Sequence, residues 1–106
     1  MHVLIEMGPV AIIKVDERGA IELANPAAVE LLAPRAQHLI GRPIAGFLPA
    51  LHHAVRWQAG PQFRTSIECR GHRDNGQPFL ARVWFSGSRD GRGPKLAAII
   101  ADIGAG

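Results

Sequence analysis

Two short apolar runs near the start of the chain predict a β hairpin. Residues 10–15 are rich in β-branched side chains, and residues 16–19 follow as a turn that ends in glycine. Residues 20–24 then form the returning strand. Asn25 and Pro26 predict a helix start, because the asparagine side chain accepts from a free backbone amide and proline is tolerated at the first helical position.

The middle of the chain is interrupted too often for long elements. The first helix is expected to run from about residue 26 to residue 33, and Pro34 ends it. Four glycine and proline residues break the stretch that follows: Gly41, Pro43, Gly46 and Pro49. We therefore expect only single helical turns, around 36–39 and 44–47. Apolar residues at helical spacing then predict a helix of two to three turns over 49–58.

The last third of the chain alternates apolar and polar residues with the period of β strands. Residues 63–70 and 79–86 show this alternation, and Asn75-Gly76 between them signals a hairpin. The Gly-rich stretch 86–93 is interpreted as a mobile hairpin loop. Residues 96–103 form the last strand, which is apolar on both faces and is therefore expected to be covered on both sides.

Length and composition are those of one small domain. The chain has 106 residues, 47% of them hydrophobic, so it can bury a core without a disulfide or a metal. Its one cysteine, Cys69, cannot form an internal disulfide, and no Cys and His residues have the spacing of zinc ligands. No apolar run reaches the roughly 18 residues of a membrane span. The first six residues do not resemble a signal peptide, so we expect a cytoplasmic segment.

Charge and motif content argue against two further classes of protein. The net charge is only +3 and the basic residues are scattered, whereas a nucleic-acid groove needs a basic stripe with stacking aromatics. No Ser/His/Asp or paired-carboxylate arrangement stands out, and residues 91–93 lack the lysine of a phosphate loop. We expect no nucleic-acid binding, no catalytic residues and no metal site.

The order of the elements predicts an α+β fold, in which helices gather on one face of an antiparallel sheet. Four segments, in the right order, resemble the PAS family: residues 15–28, 39–44, 73–79 and 102–103. The likeness covers nearly the whole chain. We expect a single PAS domain over residues 1–106, with an N-terminal cap segment at 1–7 and a core at 8–103.

The resemblance implies both a fold and a role. The fold is a five-stranded antiparallel sheet in the order 2-1-5-4-3, with short helices that enclose a cavity on one face. The role is that of a sensory module in a bacterial signalling protein, upstream of a histidine kinase, a cyclic-dinucleotide enzyme or a transcription regulator. Such a module senses a small ligand or a redox state, works as a homodimer, and signals through its last strand to an effector domain of the same polypeptide. Gly104 stands where the family usually has Thr or Ser.

Apolar residues of the sheet and helices are expected to line the implied cavity. Seven residues are predicted to form its walls: Ile13, Leu32, Phe47, Val55, Phe63, Ile67 and Phe85. Walls of this kind suit haem, flavin, fatty acids and aromatic metabolites alike, so the identity of the ligand stays open.

Three residues are candidates for holding a cofactor: His52, His53 and Trp57. Haem-binding members hold iron through a helical imidazole, and adjacent helical positions point about 100° apart, so at most one of the two histidines faces inward. For flavin, Trp57 and Trp84 are the candidate stacking partners. The Asn-Cys-Arg motif of the flavin–cysteine photoreceptors is absent, and Cys69 lies on a strand, where we expect a small hydrophobic residue. The sequence favours neither haem nor flavin over solvated histidines.

The opposite face of the sheet is predicted to carry an apolar patch. Five residues are expected to form a dimer interface there: Val10, Ile12, Leu80, Trp84 and Ile99. A patch of this kind is rarely left in water, so we expect the N-terminal segment, a second copy, or both to cover it. The alternative function is a ligand-free module for protein–protein interaction and dimerisation through this face.

Overall fold

Five antiparallel strands form one sheet in the computed structural model, which describes residues 10–52, 63–90 and 93–104. The strands are β1 (Ala11–Val15), β2 (Ile21–Ala24), β3 (Phe63–His72), β4 (Pro78–Asp90) and β5 (Gly93–Gly104). Their order across the sheet is β2-β1-β5-β4-β3. The predicted α+β fold and strand order are confirmed.

The segments between β2 and β3 carry the helices. Helix α1 spans Pro26–Leu32, and a 3-10 helix spans Ile44–Gly46, close to the turn predicted over 44–47. A further helix begins at Pro49 as predicted and is described as far as His52. The rest of the predicted helix, residues 53–58, lies outside the described residues.

The predicted helical turn over 36–39 is wrong. Residues 34–36 form a turn instead, and Gln37 follows with a φ of 58°. A positive φ cannot continue a right-handed helix. Asp74 holds the turn from the β3–β4 hairpin, because its carboxylate accepts from the backbone amides of Arg35 and Ala36 at 3.1 and 2.7 Å.

The predicted loop over 86–93 is also wrong in extent. β4 continues to Asp90 and β5 begins at Gly93, so most of this stretch belongs to the strand ladder. The ladder needs only backbone groups, which the glycine and serine residues supply as well as any others. Gly93 has a φ of 119°, and a Cβ there would lie 2.1 Å from Oε1 of Glu17. A side chain at this position therefore meets both backbone strain and a steric clash.

One hydrophobic core fills the space between the helices and the inner face of the sheet. Alternate residues of β1, β4 and β5 point into it, as the period of a strand requires. The largest fully buried side chains are Phe79, Ile13, Ile21, Leu32, Leu39, Ile44, Leu48, Leu51, Leu96, Ile100, Val15 and Val83.

The outer edge of β2 is covered by the segment that precedes the 3-10 helix. The Ile21 amide donates to the Arg42 carbonyl at 2.9 Å, and the Gly41 amide donates to the Ile21 carbonyl at 2.7 Å. The Ile44 amide donates to the Gly19 carbonyl at 2.8 Å. This pairing removes a free strand edge, which would otherwise be a template for unwanted association.

The Asn25 side chain ties α1 to the first strand. Its Oδ1 atom accepts from the backbone amides of Ala28 and Ile12, both at 2.9 Å. Its Nδ2 atom donates to the Val10 carbonyl at 2.8 Å. The predicted helix cap is therefore confirmed, and the same residue also fixes the start of β1.

We expect Asn25→Ala to lower the free energy of unfolding by about 2–3 kcal/mol. The helix loses its cap, which is worth about 1 kcal/mol, and the backbone groups of Val10 and Ile12 lose their partner. Urea denaturation followed by circular dichroism measures the change. Asn75→Ala is the matched control, because Asn75 accepts only from the Gln77 amide in an exposed turn. Equal losses in the two variants would contradict this role of Asn25.

Candidate functional site on the two faces of the sheet

The inner face holds the residues that were predicted to line a cavity. Ile13, Leu32, Phe47 and Phe85 are buried members of the core, and Ile67 packs against them. The structure therefore brings five of the seven predicted residues together. The remaining two lie outside what is described: Val55 and the side chain of Phe63. Ligand binding among these residues stays a prediction.

His52 is the one cofactor candidate whose surroundings are described. It is half-buried and lies against the β1–β2 turn, where a Cβ on Gly19 would be 3.0 Å from its Nδ1 atom. Residues His53 and Trp57 lie outside the described residues. Among residues 10–52, 63–90 and 93–104, no three His, Cys, Asp or Glu side chains are grouped as a metal site would require.

A row of side chains crosses the outer face of the sheet. Ile12 is paired with Ile99, Ile99 with Trp84, and Trp84 with Ser66, so the row runs across β1, β5, β4 and β3. The exposed fractions are 38% for Ile12, 37% for Ile99 and 44% for Trp84. We call these three residues the apolar stripe. Val10 and Leu80, the other predicted interface residues, are half-buried.

A groove of about 550 Å³ runs beside the apolar stripe. Ser86 and Ala97, which are paired across β4 and β5, line it together with the stripe. Because both side chains are small, they leave space next to the large ring of Trp84. The outer face thus combines a projecting group with a recess.

Two further apolar residues of the sheet are exposed but were not predicted as interface residues. The exposed fractions are 51% for Leu23 on β2 and 42% for Ile103 on β5. A β bulge between Lys14 and Val15 sets Leu23 opposite Lys14, on the outer face. Simple alternation from the buried Ile21 would have placed Leu23 inward, so no local signal could have found it. Ile103 follows Ile99 by two strand periods, and alternation along β5 would have identified it.

Arg73 links the helical layer to the end of the last strand. One guanidinium nitrogen donates to the Leu31 carbonyl at 2.9 Å, and the other terminal nitrogen donates to the Asp102 carboxylate at 2.7 Å. The guanidinium also lies over the Phe79 ring, 4.8 Å from its centroid. Only 18% of the side chain is exposed, so this ion pair is less weakened by water than a fully exposed one.

Cys69 lies half-buried on β3 and packs against the core. Burial raises the pKa of its thiol, because the charged thiolate loses hydration. This favours its interpretation as a small hydrophobic residue over that of a reactive thiol.

Comparisons with known proteins agree with this architecture. The family model described as PAS fold matches residues 1–103. This chain belongs to the PAS family. A search of curated proteins found no match.

Solved PAS domains are similar in structure to the whole chain. The PAS domain of an HTR-like protein from Haloarcula marismortui has a TM-score of 0.74 at 20% identity and covers 95% of this chain and 87% of its own. A PAS domain from a two-component sensor histidine kinase has a TM-score of 0.70 at 17% identity, with coverages of 95% and 91%. The PAS domain of nitrogen regulation protein NR(II) from Vibrio parahaemolyticus has a TM-score of 0.64 at 26% identity, and the match covers 89% of each chain.

The chain thus has the fold of PAS domains that occur in signalling proteins, such as that of a two-component sensor histidine kinase. PAS domains are sensory modules and are generally not catalytic. The segments that carried the resemblance have structural roles here, since Asn25 caps α1, Asp74 holds a turn and Asp102 binds Arg73. Within the part of the chain that is described, no helix is long and apolar enough to cross a membrane.

We expect Cys69 to react slowly with a thiol-specific alkylating reagent in the folded protein. The thiolate is the reactive form, so the raised pKa lowers the alkylation rate at neutral pH. The rate should therefore increase at a higher pH in the folded protein than in the unfolded chain. Rates measured from pH 7 to 10, with and without urea, test this. An Ala45→Cys, Cys69→Ala variant, whose thiol is at an exposed site, is the control. Identical pH profiles for folded and unfolded Cys69 would contradict the prediction.

Proposed function

We propose that this PAS domain is a regulatory module of a signal-transduction protein and that it acts as a homodimer formed through the outer face of its sheet. The observation that carries the proposal is the apolar stripe of Ile12, Ile99 and Trp84, which lies on the surface of the described chain. Contiguous apolar side chains with a polar rim are typical of protein–protein interaction sites.

The apolar stripe can supply the centre of an interface. Burial of apolar surface stabilises an association by about 25 cal/mol per Å², but the cost of association and of side-chain ordering offsets much of this gain. A stable interface buries about 1,000 Å² or more in total, so residues beyond the stripe must take part. Leu23 and Ile103 extend the apolar area beside it.

The shape of the outer face suits a second copy of the same chain. A two-fold interface joins one patch to itself, so the patch must contain both the projecting and the receiving parts. Trp84 projects, and the recess above Ser86 and Ala97 lies next to it in the same groove. Glu68 and Arg82 form an ion pair beyond the stripe and provide a charged rim, as in other interfaces.

Two candidate functions are consistent with such a dimer. In the first, the domain senses a small ligand on the inner face, where Ile13, Leu32, Phe47 and Phe85 offer apolar walls. In the second, the domain has no ligand and binds partner helices or a second copy through its outer face alone. Ile13 and Leu32 are completely buried in the core, which favours the second candidate.

We expect Trp84→Asp to convert a dimer into a folded monomer, because a carboxylate in an apolar interface loses its hydration. Ile99→Asp is expected to do the same. Sedimentation equilibrium over a range of protein concentrations measures the effect, which should be at least about a tenfold weaker association, and circular dichroism verifies the fold.

Ile40→Asp is the matched control for both variants. Ile40 is 48% exposed, close to the 44% of Trp84, but it lies in the segment between α1 and the 3-10 helix. Its substitution should leave the dimer intact. A dimer that persists in both outer-face variants, or a wild-type protein that is monomeric at all concentrations, would refute the proposal.

We expect the protein purified from cells supplied with riboflavin and a haem precursor to show neither a flavin nor a haem band in its ultraviolet–visible spectrum. The closely packed inner face is the physical reason. A haem band that is lost in His52→Ala but not in the control His38→Ala would contradict this and assign an iron ligand. A flavin spectrum would make the domain a redox sensor.

A further inference from the structure

A cleft of about 340 Å³ separates the 42–47 segment from the β3–β4 hairpin. It shares no lining residue with the groove on the outer face, and it touches the core through Phe47. Arg42, Phe47 and Gly46 line one wall, and His72, Arg73 and Asp74 line the other. Three basic side chains and one acidic side chain therefore meet around a single recess.

Arg42 has hydrogen-bonding capacity that the fold leaves unused. Its guanidinium carbon lies 5.1 Å from the centroid of the Phe47 ring, and one terminal nitrogen donates to the His38 carbonyl at 3.4 Å, a long contact. Among the described residues, no carboxylate pairs with Arg42. Stacking on a ring holds the face of a guanidinium and leaves its N–H edge available to a planar oxyanion.

Asp74 and the terminal nitrogens of Arg73 already have partners. Asp74 accepts from the backbone amides of Arg35 and Ala36, one on each carboxylate oxygen. Arg73 is bound to the Leu31 carbonyl and to Asp102. The charge on Asp74 is thus offset by amide donors, and the positive charge of Arg42 is left without a described partner.

Backbone hydrogen bonds hold the two walls of the cleft in place. The His72 amide donates to the Phe47 carbonyl at 2.9 Å, which joins the hairpin directly to the 42–47 segment. The Gly76 amide donates to the Arg73 carbonyl at 2.9 Å and closes the hairpin turn. His72 therefore lies on the wall opposite Arg42, and a ligand between the two walls need not order a mobile loop.

We propose that this cleft binds a small oxyanion, either a carboxylate or a phosphate. The edge of the Arg42 guanidinium binds two of its oxygens, and the His72 imidazole donates to it from the opposite wall. The stacked position of Arg42 on Phe47 fixes the direction from which the anion is bound. This site is separate from the proposed dimer interface, because no residue that lines it belongs to the apolar stripe or to the groove beside the stripe.

Titration of the ¹⁵N-labelled protein with inorganic phosphate, and separately with succinate, tests the proposal at constant ionic strength. We expect saturable shifts in the amide signals of Gly46 and Gly76, with few changes on β1. Arg42→Gln should weaken the binding at least about tenfold, because a charge-assisted pair of hydrogen bonds is lost. His72→Gln should weaken it by a smaller factor.

Arg70→Gln is the matched control, since it removes the same charge from an exposed position on β3. Its affinity should equal that of the wild type. Saturation with phosphate alone would assign a phosphate site, and saturation with succinate alone a carboxylate site. Two results would overturn the proposal: chemical shifts that do not saturate, or an affinity that decreases equally in Arg42→Gln and Arg70→Gln. Either would show only diffuse attraction of anions by a basic protein.

Discussion

The pairing of the last strand between β1 and β4 is the constraint on which the rest of the structure depends. β5 is paired with β4 over nearly its whole length and with every residue of β1, so it joins the first hairpin of the chain to the last. Without it, β1 and β2 would be an isolated hairpin, which is marginally stable in water. Because the partners are more than 80 residues apart in sequence, as in Ile13 with Ala98, this contact forms only when the whole domain folds.

The position of β5 also determines how the two faces of the sheet differ. Its inner residues Leu96, Ala98 and Ile100 are buried in the core, so one apolar face of the strand is removed from water. Its outer residues Ile99 and Ile103 have no such cover among the described residues. A central strand that is apolar on both faces needs a second layer on the outside, and this requirement is the physical basis for the proposed association through that face.

A few polar residues hold the helical layer on the sheet. Asn25 joins α1 to β1, and Arg73 joins the end of α1 to the end of β5 through Asp102. Asp74 adds the turn that follows α1. The helices are too short to be stable alone, so these contacts and the core they enclose fix where each helix begins and ends. The end of β5 is thereby connected to the helical layer through Arg73.

The sequence by itself determined the strands, the first helix, the fold class and the buried face, because these follow from alternation, from the Asn25-Pro26 start and from segments resembling the PAS family. Only the tertiary structure decided the turn at 34–36, the full length of the β4–β5 hairpin and the outward position of Leu23. Each of these depends on a distant partner: the Asp74 carboxylate, the facing strand, or the bulge beside Lys14. The cleft at Arg42 belongs to the same group, since its walls are separate in sequence and meet only through the hydrogen bond from His72 to Phe47. Local pattern specifies which residues are buried, whereas the geometry of a site requires contacts that no local window contains.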